Sequence, residues 1–286
     1  MEAKQTKELK VQIAAMLEPV AGAHREVEAV QILAAAAALR PGDGRELALD
    51  WARQRAQGAP LGLVMGHERF LGIELMARED VLVAREETEL LGREVLAVLN
   101  RLSREQPDRE LWMIDMGCGS GNLTCACALA VPQARIWASD LMASCVQLTR
   151  DNLALHGLEG RAKVIQGDLF GPLQGQGLEA SMDLVMMNPP YIPSKSLETS
   201  HAGLLEHEPR AAFDGGPYGI SILIRLLHEA PPFLKPGGHL LFEFGAGQAK
   251  MVRMLAERNE SLTGLRFALN WEGEARAAIL RKRLDL

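Results

Sequence analysis

Asn188-Pro189-Pro190-Tyr191 is the stretch of this chain whose residue types best suit chemistry. It follows the apolar run 184–187, which reads as a buried strand. The two prolines then end both helix and ladder pairing, and each presses the residue before it into an extended conformation. Asn188 is therefore expected at the C-terminal end of a strand, with its carboxamide and the nearby carbonyls held stiffly. Two acceptors, the Asn188 side-chain oxygen and the Pro189 carbonyl, match the two hydrogens of a planar NH2 group. The flat ring of Tyr191 suits the face of such a group. Taken alone, these four residues also fit a strand that simply ends in a proline turn.

A second constellation lies upstream. Asp115-Met-Gly117-Cys118-Gly119-Ser-Gly121 follows a predicted strand and opens a predicted helix. Its glycines let the backbone turn tightly and approach a ligand, with amides at a helix N-terminus directed towards it. Asp140, followed by Leu141, ends the next strand, where a ribose diol is commonly gripped. Gly167-Asp168-Leu169-Phe170 follows the third strand and offers an acceptor for an exocyclic amine and an apolar lid for adenine. Each acid alone suits a helix cap or a turn. Three acids at the ends of three successive strands instead mark the ligand edge of an open α/β sheet. The chain has no Gly-x-x-x-x-Gly-Lys-Ser/Thr loop, so the ligand is expected to be an adenosine carrying something other than a polyphosphate.

The elements that must position these residues follow from periodicity. Apolar stripes at helical spacing predict three helices over 6–57, a small helical domain (1–60) suited to packing or partner docking. Residues 61–85 read as a hairpin linker, with strands at 69–76 and 81–83 joined through 78–80. From 86 to 286, strands predicted at 111–116, 135–139, 162–166, 182–187 and 239–244 alternate with helices at 86–99, 122–130, 143–156, 219–230 and 249–259. Two last strands are predicted near 265–270 and 276–281. Such alternation implies a parallel sheet covered on both faces.

The totals exclude several classes. A formal net charge of −6 over 286 residues argues against a broad nucleic-acid footprint. The longest apolar run near the start, 29–39, is too short to span a bilayer, and the first residues carry no signal-peptide pattern. The four cysteines, Cys118, Cys125, Cys127 and Cys145, are bunched without metal-ligand spacing. They read as reduced, packed thiols of a cytoplasmic protein, with no metal expected.

Taken together, these motifs resemble the HemK family of N5-glutamine methyltransferases that modify peptide-release factors. The resemblance rests on Asp115–Gly121 and Asn188-Pro-Pro-Tyr191. It is extended by Glu208-Pro-Arg-Ala-Ala-Phe-Asp-Gly-Gly216 with Tyr218-Gly219, by 234–245 with Gln248, and by 66–72 with Thr88-Glu89. It implies a class I (Rossmann-like) seven-stranded α/β methyltransferase sheet behind a helical domain, with S-adenosyl-L-methionine as cofactor. Asp115, Gly117, Cys118, Gly119, Gly121, Asp140, Leu141, Asp168, Leu169 and Asn188 would then hold the cofactor. Asn188, Pro189 and Tyr191 would hold the acceptor, and with no strong base in the motif none is expected to be essential. The chain departs from the family pattern at Ala84-Arg-Glu-Glu-Thr-Glu89, where two prolines are missing, and at Met116 and Cys118. Two acceptors stay open: a release-factor glutamine, or a small molecule such as a free amino acid, an amide or a guanidinium. Adenine-N6 methylation of nucleic acid is a third, disfavoured by the acidic total. A non-catalytic interaction protein that kept the fold is disfavoured by the intact motifs.

Overall fold

The structure, a computed structural model, describes residues 2–285, except for the side chains of residues 2–4 and Glu86. It divides into two compact units, the first ending at Glu68 and the second beginning at Arg69. The first contains α1 (Glu2–Ala21), α2 (Arg25–Leu39), α3 (Arg45–Ala56) and α4 (Leu61–Met65). Its core is Ile13, Leu17, Ile32, Ala48 and Trp51. The stripes predicted around Leu9–Val20 and Leu47–Ala52 supply the first and third helices. The second helix, α2, instead buries Ala29, Ile32 and Ala36 and turns the predicted Val27, Val30, Ala34, Ala37 and Ala38 outward, because in this alanine-rich helix two neighbouring faces are almost equally apolar. The short helix α4 lies where the linker was predicted. Leu61, Val64 and Met65 recur at helical spacing and pack on the same core, which offsets the helix-weakening effect of Gly62.

The division falls within β1 (His67–Phe70), which pairs with β2 (Ile73–Met76). The hairpin therefore differs from the predicted one. Its turn is Leu71-Gly72, both with positive φ (48° and 84°), and 81–83 form no strand. A two-residue turn of this kind needs left-handed residues at both positions, and leucine does not advertise that conformation. Val81 and Val83 are buried all the same.

The second unit continues with α5 (Glu86–Glu105), β3 (Leu111–Met116), α6 (Asn122–Ala130), β4 (Ala134–Asp140), α7 (Ala143–Leu155), β5 (Ala162–Gln166) and β6 (Met182–Met187). After the one-turn helix α8 (Ser194–Leu197) come α9 (Ser221–Glu229), β7 (Leu234–Glu243), α10 (Ala249–Glu257), β8 (Leu262–Leu269) and β9 (Ala275–Lys282). The seven strands run in the order β5-β4-β3-β6-β7-β9-β8. The first five are parallel, while β9 is antiparallel to both of its neighbours. The short connection 270–274 leaves no room for a crossover, so the last two strands form a hairpin. Alternate residues feed opposite faces: Met113 packs with Leu91, Val95 and Leu123, while Ile114 packs with Leu226, Phe242 and Phe244. All six residues of β6 are buried, as expected of a strand covered on both sides. No helix among the described residues is long and apolar enough to cross a membrane.

Asp183, buried at the start of β6, ties the strand bases together. It accepts Arg109 Nη2 and Nη1 at 2.7 and 3.0 Å, Lys235 Nζ at 3.1 Å and the Trp112 amide at 2.9 Å. Asp183→Ala leaves two cations without their counter-charge, and is expected to lower stability by about 3 kcal/mol in urea denaturation. It lies at the opposite end of the strands from the candidate site, so turnover per folded molecule should not change.

Candidate active site

The sheet reverses its winding between β3 and β6, and ligand clefts of open α/β sheets form at the C-terminal side of such a switch. Two cavities meet there. The larger, about 280 Å³, is lined by Gly117, Gly119, Asp140, Leu141, Asp168 and Leu169, among others. The smaller, about 190 Å³, is lined by Pro189 and Tyr191 together with Arg85, Glu87, Leu204 and Phe213. Leu82, Asn188 and Ala212 line both, so Asn188 stands at their junction.

The larger cavity begins at the glycine loop after β3. Gly117, Gly119 and Gly121 all have positive φ. At Gly121 a Cβ would lie 2.8 Å from the Thr149 side chain and 3.1 Å from its Cα, so only glycine fits against α7. Asp140 secures the loop from β4: its two oxygens accept the amides of Gly119 and Met142, each at 2.9 Å. Burial raises its pKa above the ordinary carboxylate range. Three carboxylates, Asp140, Asp168 and Asp214, line this cavity, and no Lys, Arg or His does among the described residues. A polyphosphate would find no counter-charge there; of the three carboxylates, Asp168 and Asp214 are paired with Arg225 and Arg210 outside the lining.

Several predicted cofactor residues stand behind the cavity. Asp115, Cys118 and Gly121 do not line it. Asp115 is buried and accepts the Thr124 hydroxyl at 2.6 Å, bracing the first turn of α6. Cys118 is buried against Thr149. Phe170, predicted as part of an adenine lid, is fully buried and stacks on Phe233 at 5.0 Å between centroids, because it has a core partner. Leu141, Leu169 and Ile222 supply the apolar walls instead. Asp168 does line the cavity, but both its oxygens sit 3.0 Å from Arg225 Nη1.

Asp115 also provides a pH test. Burial, and secondarily the charge of Asp140, push its pKa up to about 7. A carboxyl with a raised folded-state pKa binds its proton more tightly in the folded protein. The stability it contributes is full below the ordinary carboxylate range and is lost as pH rises through about 7. The stability of wild type minus that of Asp115→Asn should therefore fall as pH rises from about 4 to about 7. Urea midpoints for both proteins across that range check this, and a pH-independent difference would contradict it.

The loop after β6 is braced along its backbone. Ile192 exchanges hydrogen bonds with Phe213 and Gly215, both at 2.9 Å. Gln248 Nε2 donates to the Tyr191 carbonyl at 3.0 Å and to the Gly219 carbonyl at 3.1 Å. At Gly219 (φ 69°) a Cβ would come within 2.2 Å of the Tyr191 carbonyl, so the two segments can touch only through a glycine. Glu208 fastens the same loop to the chain before α5, accepting the Val83 amide at 3.0 Å and pairing with Arg85.

Beneath this loop runs a side-chain network that the sequence reading did not assign. Asn188 Nδ2 donates to Thr88 Oγ1 at 2.9 Å, and Thr88 Oγ1 donates to Glu243 Oε2 at 2.9 Å. Glu243 Oε1 accepts the Tyr191 hydroxyl at 3.1 Å, and Arg276 Nη2 lies 3.3 Å from that hydroxyl. Glu243 is wholly buried. Burial pushes its carboxyl up to about 7, against the opposing pull of Thr88, Tyr191 and Arg276. The same burial, reinforced by the Glu243 charge, raises the Tyr191 hydroxyl well above its ordinary value. One signal for Glu243 was visible: an acid inside the apolar run 240–244, where an unpaired charge is rarely buried.

Known proteins agree with this architecture. Residues 95–217 match the family described as Methyltransferase small domain. The release factor glutamine methyltransferase of Moorella thermoacetica is 36% identical over 214 residues, covering 73% of this chain and 72% of that one. Its counterpart from Rhodopirellula baltica is 30% identical over 230 residues, covering 80% and 76%. Among solved structures, the N-terminal domain of human METTL16 in complex with SAH superposes with a TM-score of 0.54 at 16% identity, covering 82% of this chain and 83% of that one. That level of identity speaks for the fold alone. From its sequence relatives, the chain belongs to the release factor glutamine methyltransferase family.

Proposed function

We propose that this methyltransferase binds S-adenosyl-L-methionine in the larger cavity and methylates the side-chain amide of a glutamine in a peptide-release factor. The observation that carries this reading is the commitment of Asn188 Nδ2 to Thr88, which leaves Oδ1 as the free end of the carboxamide at the junction of the two cavities. The cofactor's sulfonium and ammonium charges meet a lining that carries no basic side chain, in which Asp140 is the carboxylate not paired with an arginine among the described residues. Asp140 is the group to hold its ribose, and Leu141, Leu169 and Ile222 to flank its base.

The smaller cavity favours a neutral acceptor. Its charged residues are already paired, Arg85 with Glu208 and Glu87 with Arg276. A free amino acid or a guanidinium would enter with charges that find no free partner, whereas a glutamine within a polypeptide presents only an amide. When bound, the cofactor supplies a methyl group already activated by the sulfonium. The chain must then orient a weak nucleophile, since the amide lone pair is delocalised into its carbonyl. Asn188 Oδ1 and the Pro189 carbonyl accept the two amide hydrogens, an interaction that strengthens as the nitrogen becomes pyramidal and positive. Tyr191 flanks the flat amide. We infer a cytoplasmic location; no helix among the described residues is long and apolar enough to cross a membrane.

The test is incubation of a glutamine-bearing release factor, free glutamine, free arginine and duplex DNA with enzyme and cofactor, followed by tandem mass spectrometry. One added methyl on the release-factor glutamine side chain is expected. Methyl on a free amino acid or on DNA, with none on the factor, contradicts the reading.

A further inference from the structure

Of the residues around the smaller cavity, Thr88 and Glu243 have no contact with either ligand space of their own. Neither lines the two cavities of the site, yet together they decide which atom of Asn188 faces them. A threonine hydroxyl has one hydrogen to donate. Here that hydrogen goes to Glu243, whose ionised form can only accept. Thr88 Oγ1 is left as an acceptor towards Asn188, and the group that meets it is the NH2 of the carboxamide. A flipped carboxamide would place Asn188 Oδ1 against Thr88 Oγ1, two acceptors face to face with no proton between them.

We infer that Thr88 and Glu243 are positioning residues, a proton-polarity lock that holds the Asn188 carboxamide with its oxygen, not its nitrogen, towards the acceptor amide. The inference rests on the proposed reading of the site. Glu243 fixes the ring of Tyr191 through its second oxygen, so one buried carboxylate orders both the acceptor-binding oxygen and the flanking ring. It is held in turn by β9, where Arg276 lies 3.9 Å from Glu243 Oε1 and 3.4 Å from Glu87. Thr88 sits in the first turn of α5 and Glu243 at the end of β7, so the lock joins a helix to a central strand beneath the loop it controls.

The test uses the full chain with Thr88→Val, which keeps the shape and removes the hydroxyl, Thr88→Ser, which keeps the hydroxyl, and Glu243→Gln. In the valine variant kcat should fall by about 30- to 300-fold, with cofactor Kd within about three-fold of wild type, because the lost term acts mainly in the transition state. The glutamine variant, whose amide oxygen still accepts the Thr88 hydrogen, should fall less. The serine variant should stay within about five-fold of wild-type kcat. A valine variant as active as the serine one overturns the inference, and so does a valine variant that loses cofactor binding, since Thr88 would then be supporting the fold. The Asn188 carboxamide signal in a proton–nitrogen spectrum, assigned by its absence in Asn188→Ala, reports the same bond without turnover. It should shift in Thr88→Val and not in Thr88→Ser, and equal spectra in both overturn the inference. Wild-type turnover on the release factor, run alongside, reports separately on the proposed function.

Discussion

Asn188→Ala should abolish most methyl transfer, lowering kcat by about 10²- to 10³-fold, the usual effect of removing one preorganised group that meets developing charge. Cofactor Kd should change by no more than about three-fold, because the groups proposed to face the adenosine come from the ends of β3, β4 and β5 and remain in place. The effect is large because the free end of this carboxamide is an acceptor held by a stiff frame. Thr88 fixes its nitrogen, while Gln248, Phe213 and Gly215 fix the backbone that follows. Asn188→Asp retains an oxygen but loses the donor to Thr88, so it should recover only part of the rate. Release-factor methylation with tritiated cofactor and calorimetric titration of the cofactor measure the two quantities separately. Near-wild-type turnover in Asn188→Ala would remove the residue from its role.

Asp140→Ala should produce the complementary result: loss of cofactor affinity by about 100-fold or more, because the substitution removes the proposed pair of charge-assisted hydrogen bonds to the ribose diol. Its carboxylate also holds the Gly119 and Met142 amides, so the variant loosens the glycine loop as well as the ligand contact. Asp140→Asn keeps one acceptor oxygen and should lie between the two. At saturating cofactor, kcat should recover towards wild type in Asp140→Asn, since the acceptor side of the site is untouched. An unchanged Kd in Asp140→Ala would mean that the end of β4 does not hold the ligand.

Much of this site is legible in the chain because it depends on local rules. The apolar run 184–187 stopped by two prolines places Asn188 at a strand end, and the structure ends β6 at Met187. The glycine loop is legible from its residue types, although only the positive φ values and the contact with Thr149 show which glycine is sterically required. The turn at Leu71-Gly72 was hidden, because nothing in a leucine signals a left-handed conformation. The helix α4 is hidden by Gly62 and the flanking Gly66, and its packing on the helical core is what holds it. Phe170 is apolar in either role, so its core position depends on Phe233, which the sequence does not place beside it. The Thr88–Glu243 pair spans 155 positions, and its meaning depends on which oxygen meets which proton. Periodicity and motif spacing carry no such information.

The most direct measurement is a crystal structure of the enzyme with S-adenosylhomocysteine and a glutamine-bearing release-factor fragment. The acceptor amide nitrogen is expected in the smaller cavity, about 3 Å from Asn188 Oδ1, with the Asn188 nitrogen still on Thr88 and the adenosine ribose on Asp140. An amide bound elsewhere, or a carboxamide turned so that its nitrogen faces the substrate, would contradict the mechanism.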